Sequence, residues 1–255
     1  MLELLSLSEY AIAEPLLKDF PINRPLLEAI LDNECAGKVF TDNKNNPSFI
    51  LVSSPAAYTY LVGRADQYAL KEVANYLKTL SFVLLVCPLG WEYKSFFEEE
   101  GFSAVERLQL KRPIGLPGLE DWKNRLPSQY IVDDIDARYF PTCHWHDFFS
   151  TLYGGDEPFY AFGNGFCLLD QGKVASESYG IIGRGIAEIA IITDENYRGQ
   201  NLGTMVCAFM VDYCERQGVQ AFWSCNVHNP ASAAIAKKLG FEEDCKYFFL
   251  KHSGP

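Results

Sequence analysis

The stretch Tyr197-Arg198-Gly199-Gln200-Asn201-Leu202-Gly203-Thr204 decides how the chain is read. It follows a run, Ala187 to Thr193, that reads as a buried strand. It opens a run with apolar residues at Leu202, Val206, Phe209, Met210 and Tyr213. That spacing predicts a helix over Leu202 to Arg216, stopping near Gly218. A glycine-containing loop between a strand and a helix leaves backbone N–H groups without partners at the positive end of the helix dipole. Such a loop suits a phosphate or pyrophosphate.

Working outward, the second half reads as strands at Tyr130 to Asp134, Phe166 to Asp170 and Val174 to Ile182, with a turn at Gln171-Gly172. Tyr139 to Leu152 reads as mostly helix. After the long helix come a strand at Ala221 to Cys225, a helix at Ala231 to Leu239 ending in Gly240-Phe241, and a strand at Lys246 to Lys251. The first half gives a similar order. Strands at Ser48 to Ser53 and Tyr58 to Val62 precede a helix over Asp66 to Leu80. A buried strand at Phe82 to Cys87, a short helix at Tyr93 to Glu100 ending in Gly101-Phe102, and a strand at Ala104 to Leu110 follow. The Gly-Phe pairs, and Gly63 set against Gly203, recur at nearly one offset, which points to an internal duplication. A Pro- and Gly-rich segment, residues 113–128, reads as the linker between domains at 1–112 and 129–255.

The composition narrows the partners. Of 255 residues 48% are hydrophobic, enough for one large core or two smaller ones, and the net charge of −11 disfavours nucleic acid. An acidic surface is compatible with a cationic, amine-bearing partner, although acidity for solubility alone accounts for the same number. The eight cysteines are scattered, with no Cys-x-x-Cys pair, and read as small buried hydrophobes in a reducing compartment. The N-terminus lacks the basic region of a secretory signal, and the longest apolar stretch, Phe82 to Leu89, is too short to span a bilayer. The expectation is a cytoplasmic protein with no membrane partner.

The second half resembles the GNAT superfamily of acetyl-CoA-dependent N-acetyltransferases. The matching residues are Glu188-Ile189-Ala190-Ile191-Ile192-Thr193, the loop Tyr197 to Gly203, Asn226 to Asn229, and Ala236-Lys237-Lys238-Leu239-Gly240-Phe241. The first half looks like a degenerate second copy. The resemblance implies an α/β (α+β) fold of two GNAT-like domains. Each would be a mixed, twisted sheet with a splayed central strand pair and flanking helices. It also implies acetyl-CoA as co-substrate, with no metal. The pyrophosphate would lie on Arg198, Gly199, Gln200, Asn201, Leu202, Gly203 and Thr204. The pantetheine arm would run along Ile191, Ile192 and Thr193, with Asn229 and Ser232 also at the coenzyme. Glu188 is the expected general base, and Asn226 the other candidate catalytic residue.

Three departures from the family pattern bear on function. Asn201 stands where the family usually has glycine, and it is expected to tolerate a left-handed backbone and to cap the next helix. Ala236 stands where the family has its acidic tyrosine, so Ser232, Tyr247 or water would protonate the leaving thiolate. In the first half, Val62-Gly63-Arg64-Ala65-Asp66-Gln67 lacks the glycine pattern, and Asp66 would cap a helix and repel a pyrophosphate. Cys143-His144-Trp145-His146 has no second cluster to complete a metal site and is expected at a substrate cleft. His228 reads as a surface histidine, and Glu98-Glu99-Glu100 as a solvated helix end. The leading reading is transfer of acetyl to a primary amine of a small molecule. The alternatives are a non-catalytic acyl-CoA-binding module and a transferase that uses another acyl-CoA.

Overall fold

The computed structural model describes residues 2–254. Contacts divide them into two units, one of residues 2–107 with 246–254, the other of residues 108–245. The first contains β1 (Glu3–Leu4), a 3-10 run (Leu7–Asp19), α1 (Arg24–Leu31), β2 (Lys38–Thr41), β3 (Phe49–Ser53), β4 (Tyr58–Gly63), α2 (Gln67–Lys78), β5 (Phe82–Pro88), α3 (Lys94–Glu99) and the start of β6 (Ser103–Lys111). The second continues from β6 through α4 (Leu119–Lys123), β7 (Tyr130–Asp134), α5 (His146–Tyr153), α6 (Asp156–Phe162), β8 (Asn164–Asp170) and β9 (Lys173–Gly183). It goes on through β10 (Ile186–Thr193), α7 (Leu202–Arg216), β11 (Gln220–Asn226), α8 (Pro230–Lys238) and the start of β12 (Glu242–Ser253).

The two units repeat one order of elements. Three antiparallel strands, β2-β3-β4 in one and β8-β9-β10 in the other, lead into a helix and then a strand parallel to the third. A short helix and a Gly-Phe pair follow in each. Gly101 and Gly240 take φ of 93° and 81°, a left-handed backbone that glycine adopts without a Cβ penalty. The N–H of Phe102 donates to the Phe97 carbonyl and that of Phe241 to the Ala236 carbonyl, both at 3.0 Å. Both helices therefore close with the same Schellman hydrogen bond, and both phenylalanines are buried. Gly63 is not part of the repeat. It ends β4, whereas Gly203 lies inside α7.

Residues 246–254 lie in the first unit, where β12 pairs antiparallel with β5 from Tyr247 opposite Pro88 to Ser253 opposite Phe82. Leu250 joins the core beneath it, with Leu85, Val73, Leu77 and Phe97. In the second unit α7 buries Cys207, Ala208, Met210 and Val211 against Ala187 and Ile189 of β10 and Trp223 of β11. Every cysteine in the chain is free, and all but Cys245 are buried.

The helix expected over Tyr139 to Leu152 is a 3-10 turn, Phe140–Thr142, followed by α5. Pro141 and the extended Cys143 (φ −71°, ψ 146°) interrupt it. Glu100 is not simply solvated. It accepts hydrogen bonds from Lys71 at 2.6 Å and Lys78 at 2.5 Å.

Candidate functional site

β10 pairs with β9 along its whole length, from Ile186 opposite Gly183 to Thr193 opposite Ser176. Its parallel register with β11 ends at Glu188 opposite Phe222. From Ile189 onward the edge of β10 toward β11 has no strand partner among the described residues. The strands part there, and backbone groups of β10 are left for something to pair with.

A cavity of about 580 Å³ opens beyond this point. Ile191, Ile192 and Thr193 of β10 line one side, and Asn229 and Ser232 of α8 another. Between them lie Arg198, Gly199 and Asn201 of the loop and Leu202, Gly203 and Thr204 of the first turn of α7. Gln200 is not in the lining. Its side-chain oxygen accepts the Tyr130 hydroxyl at 3.2 Å.

The loop is shaped for an anion. Gly199 and Asn201 take left-handed φ of 79° and 62°, which turns successive amides the same way. Among the described residues, none of the backbone N–H groups from Gly199 to Thr204 donates to a protein acceptor; intrahelical bonding starts with Met205, whose N–H reaches the Asn201 carbonyl at 3.1 Å. Asn201 does not cap α7 with its side chain. Its Oδ1 instead accepts Lys238 Nζ at 2.7 Å, across the cavity mouth. A Cβ added at Gly203 would lie 2.9 Å from Thr193 Oγ1 and 3.5 Å from Ile191 and Ile235, so any larger residue intrudes on the cavity. The lining includes Arg198 and Lys238 and no carboxylate, in a chain of net charge −11.

The corresponding loop of the first unit is closed. The N–H of Arg64 donates to the Ser48 carbonyl at 2.8 Å, and that of Ala65 to the Tyr93 hydroxyl at 3.0 Å. Asp66 caps α2, its Oδ1 accepting the Ala69 N–H at 2.8 Å. Tyr93 precedes α3 as Asn229 precedes α8, but its ring packs edge-on against Trp91 and its hydroxyl takes up the Ala65 N–H. The cavity beside this loop is lined by Asp42, Asp66, Glu72 and Glu92 against one Arg64. Carboxylates there repel phosphate.

The family model for GNAT acetyltransferases matches residues 14–250. The chain belongs to the GNAT acetyltransferase family. It is therefore an acyltransferase. The uncharacterised N-acetyltransferase YdfB of Bacillus subtilis (strain 168) is 23% identical over 236 residues, which cover 86% of this chain and 87% of that protein. A GCN5-related N-acetyltransferase-like protein of Streptococcus suis has the same fold, with a TM-score of 0.77 at 22% identity over 96% of this chain and 99% of the other. A tandem GNAT protein from the clavulanic acid biosynthesis pathway aligns over 100% of this chain and 99% of its own, with a TM-score of 0.63 at 14% identity. Among the described residues no helix is long and apolar enough to cross a membrane. Nor do three or more His, Cys, Asp or Glu side chains there gather to hold a metal.

Within the GNAT fold, Glu188 occupies the last pair before β10 and β11 part. Ala187, Ile189 and Ile191 pack toward α7, so strand alternation turns Glu188 to the opposite face, at the base of the opening. Asn226 does not line the cavity. Its Oδ1 accepts the His228 N–H at 2.8 Å and its carbonyl the Asn229 N–H at 2.9 Å, a turn that ends β11. Asn229 Oδ1 then caps α8 through the Ser232 N–H at 3.2 Å. Ser232 Oγ accepts Trp223 Nε1 at 3.0 Å, which leaves its own proton to point elsewhere. Ala236 is one turn further on and fully buried. Tyr247 is fully buried in the first unit.

Sequence reasoning missed Lys238, although it lies inside the quoted Lys-Leu-Gly-Phe match. Its identity as a lysine carried no sign that the fold would bring it to Asn201.

Proposed function

We propose that the second unit transfers acetyl from acetyl-CoA directly to a primary amine of a small molecule. The observation that carries the reading is the run of unpartnered N–H groups from Gly199 to Thr204, in a cavity with two cations and no carboxylate. Those amides and the α7 dipole would hold the diphosphate, with Lys238 beside them. The pantetheine arm would pair with the open edge of β10 at Ile191 to Thr193. A backbone N–H of that edge would receive the charge that develops on the thioester oxygen.

Glu188 would take the proton that the attacking amine loses. Ser232 would relay a proton from water to the departing thiolate, its oxygen accepting from water beside Trp223 Nε1 as its own hydroxyl donates, since Ala236 offers no hydroxyl. Asn226 would act at one remove, by holding the turn that delivers Asn229 and α8. The first unit would not bind the coenzyme, since protein acceptors already use its loop amides.

Calorimetry with CoA, followed by thiol release from acetyl-CoA over an amine panel, tests the reading. Saturable CoA binding and amine-dependent thiol release are expected. A wild-type protein that bound no CoA would sink the loop assignment. Binding without release to any amine would sink the acceptor class.

A further inference from the structure

Outside the cavity, one cluster of ionisable side chains stands apart. Glu177 of β9 is fully buried. Its Oε2 accepts the backbone N–H of His144 at 2.9 Å, and its Oε1 that of Trp145 at 2.8 Å. The Tyr179 hydroxyl adds a third donor at 3.2 Å. The carboxylate therefore takes up open amides at the start of α5, where a negative charge meets the positive end of a helix.

The His144 ring lies between two carboxylates. Nδ1 is 3.4 Å from Glu177 Oε2 and Nε2 is 3.1 Å from Asp194 Oδ2. Asp194 is the first residue after β10. Its Oδ1 accepts the Asn196 N–H at 2.9 Å, and its carbonyl accepts the Tyr197 N–H at 3.0 Å. Asp194 thus starts the loop that ends in the open amides, and its second oxygen is tied to a histidine seated on a buried acid. A long, glycine-containing loop that must present a fixed set of N–H groups gains from such an anchor, because ordering it beforehand lowers the cost of binding.

We propose that His144 is a positioning residue for the coenzyme loop, joining Glu177 to Asp194 so that residues 194–201 hold one conformation. The strap is a property of the unliganded protein. Its consequence for coenzyme affinity rests on the function proposed above.

Two measurements separate the two claims. Hydrogen exchange of the unliganded protein reads the strap alone. In His144→Ala the amides of Asn196, Tyr197 and Arg198 should exchange several-fold faster, with those of β8 and β9 unchanged; unaltered loop exchange overturns the proposal. Calorimetry with CoA reads the consequence. His144→Ala should weaken binding about fivefold, with His144→Gln, which keeps one donor, in between. Its kcat on a responsive amine should stay within about twofold of wild type. Asp194→Asn should weaken binding similarly, and the double variant should be no worse than either single one. Additive losses, or a fall in kcat at unchanged affinity, overturn the positioning role. If wild-type protein binds no CoA, the proposed function falls, and the exchange data still decide whether the strap exists.

Discussion

At the scale of single residues, the site depends on a few groups whose roles can be separated. Glu188→Gln keeps the shape at the base of the strand opening and removes the base. Acetyl transfer should fall by about a hundredfold or more with CoA affinity unchanged, as read by thiol release and calorimetry. Lys238 donates to Asn201 at the cavity mouth, and Lys238→Ala should weaken CoA about fivefold, the size expected for one partly exposed charge-assisted contact. His146 gives a pH signature unrelated to catalysis. Its Nε2 lies 3.1 Å from both Asp156 oxygens, and that hydrogen bond raises its pKa from the ordinary 6.5. A raised histidine stabilises the folded state fully below 6.5 and loses that contribution as pH climbs through its folded-state value. Melting curves of wild type and His146→Gln should therefore differ most at low pH and converge above that window.

At the scale of elements, what was legible in the sequence follows from which forces are local. The 3.6-residue spacing of α7 reads directly because Leu202, Val206 and Met210 all meet the core, and the strand before it reads because Glu188 and Thr193 are the polar residues in an otherwise apolar run. The segment Leu7–Asp19 shows no such period; it is a 3-10 run with Pro15 inside it. α6 hides behind Gly154-Gly155 and a proline at its third position, which a first helical turn tolerates. The fate of Asn201 was equally out of reach. Capping is a local property, whereas its actual partner lies 37 residues away in α8. The loops of the two units permit a paired test. Gly203→Glu puts a side chain and a negative charge among Thr193, Ile191 and Ile235, and should abolish CoA binding in a protein that still melts cooperatively. Asp66→Ala removes the cap of α2 and should cost about 1 kcal/mol of stability while leaving CoA affinity unchanged. Weakened CoA binding in Asp66→Ala would mean that the first unit takes part after all.

At the scale of the molecule, the division of the chain is not a single cut. Residues 246–254 complete the first unit, and residues 108–112 lie in the second, where Arg112 donates to the Leu239 carbonyl at 2.7 Å and pairs with Glu215. Fragments 1–112 and 129–255, made separately, should each fail to show a cooperative melt, whereas co-expression should recover one. Two independently stable fragments would contradict the contacts of β12 with β5. The proline-rich segment between the halves is an obvious place to divide the sequence, but nothing in it signals that the final strand returns. That signal lies in the pairing of Phe248 and Leu250 with Cys87 and Leu85, partners more than a hundred and fifty positions distant. The ribosome releases this strand of the first unit only after the second unit has been made. Until then the rim of β5 that β12 covers is open to stray pairing, so the first unit, though begun before the second, is completed after it.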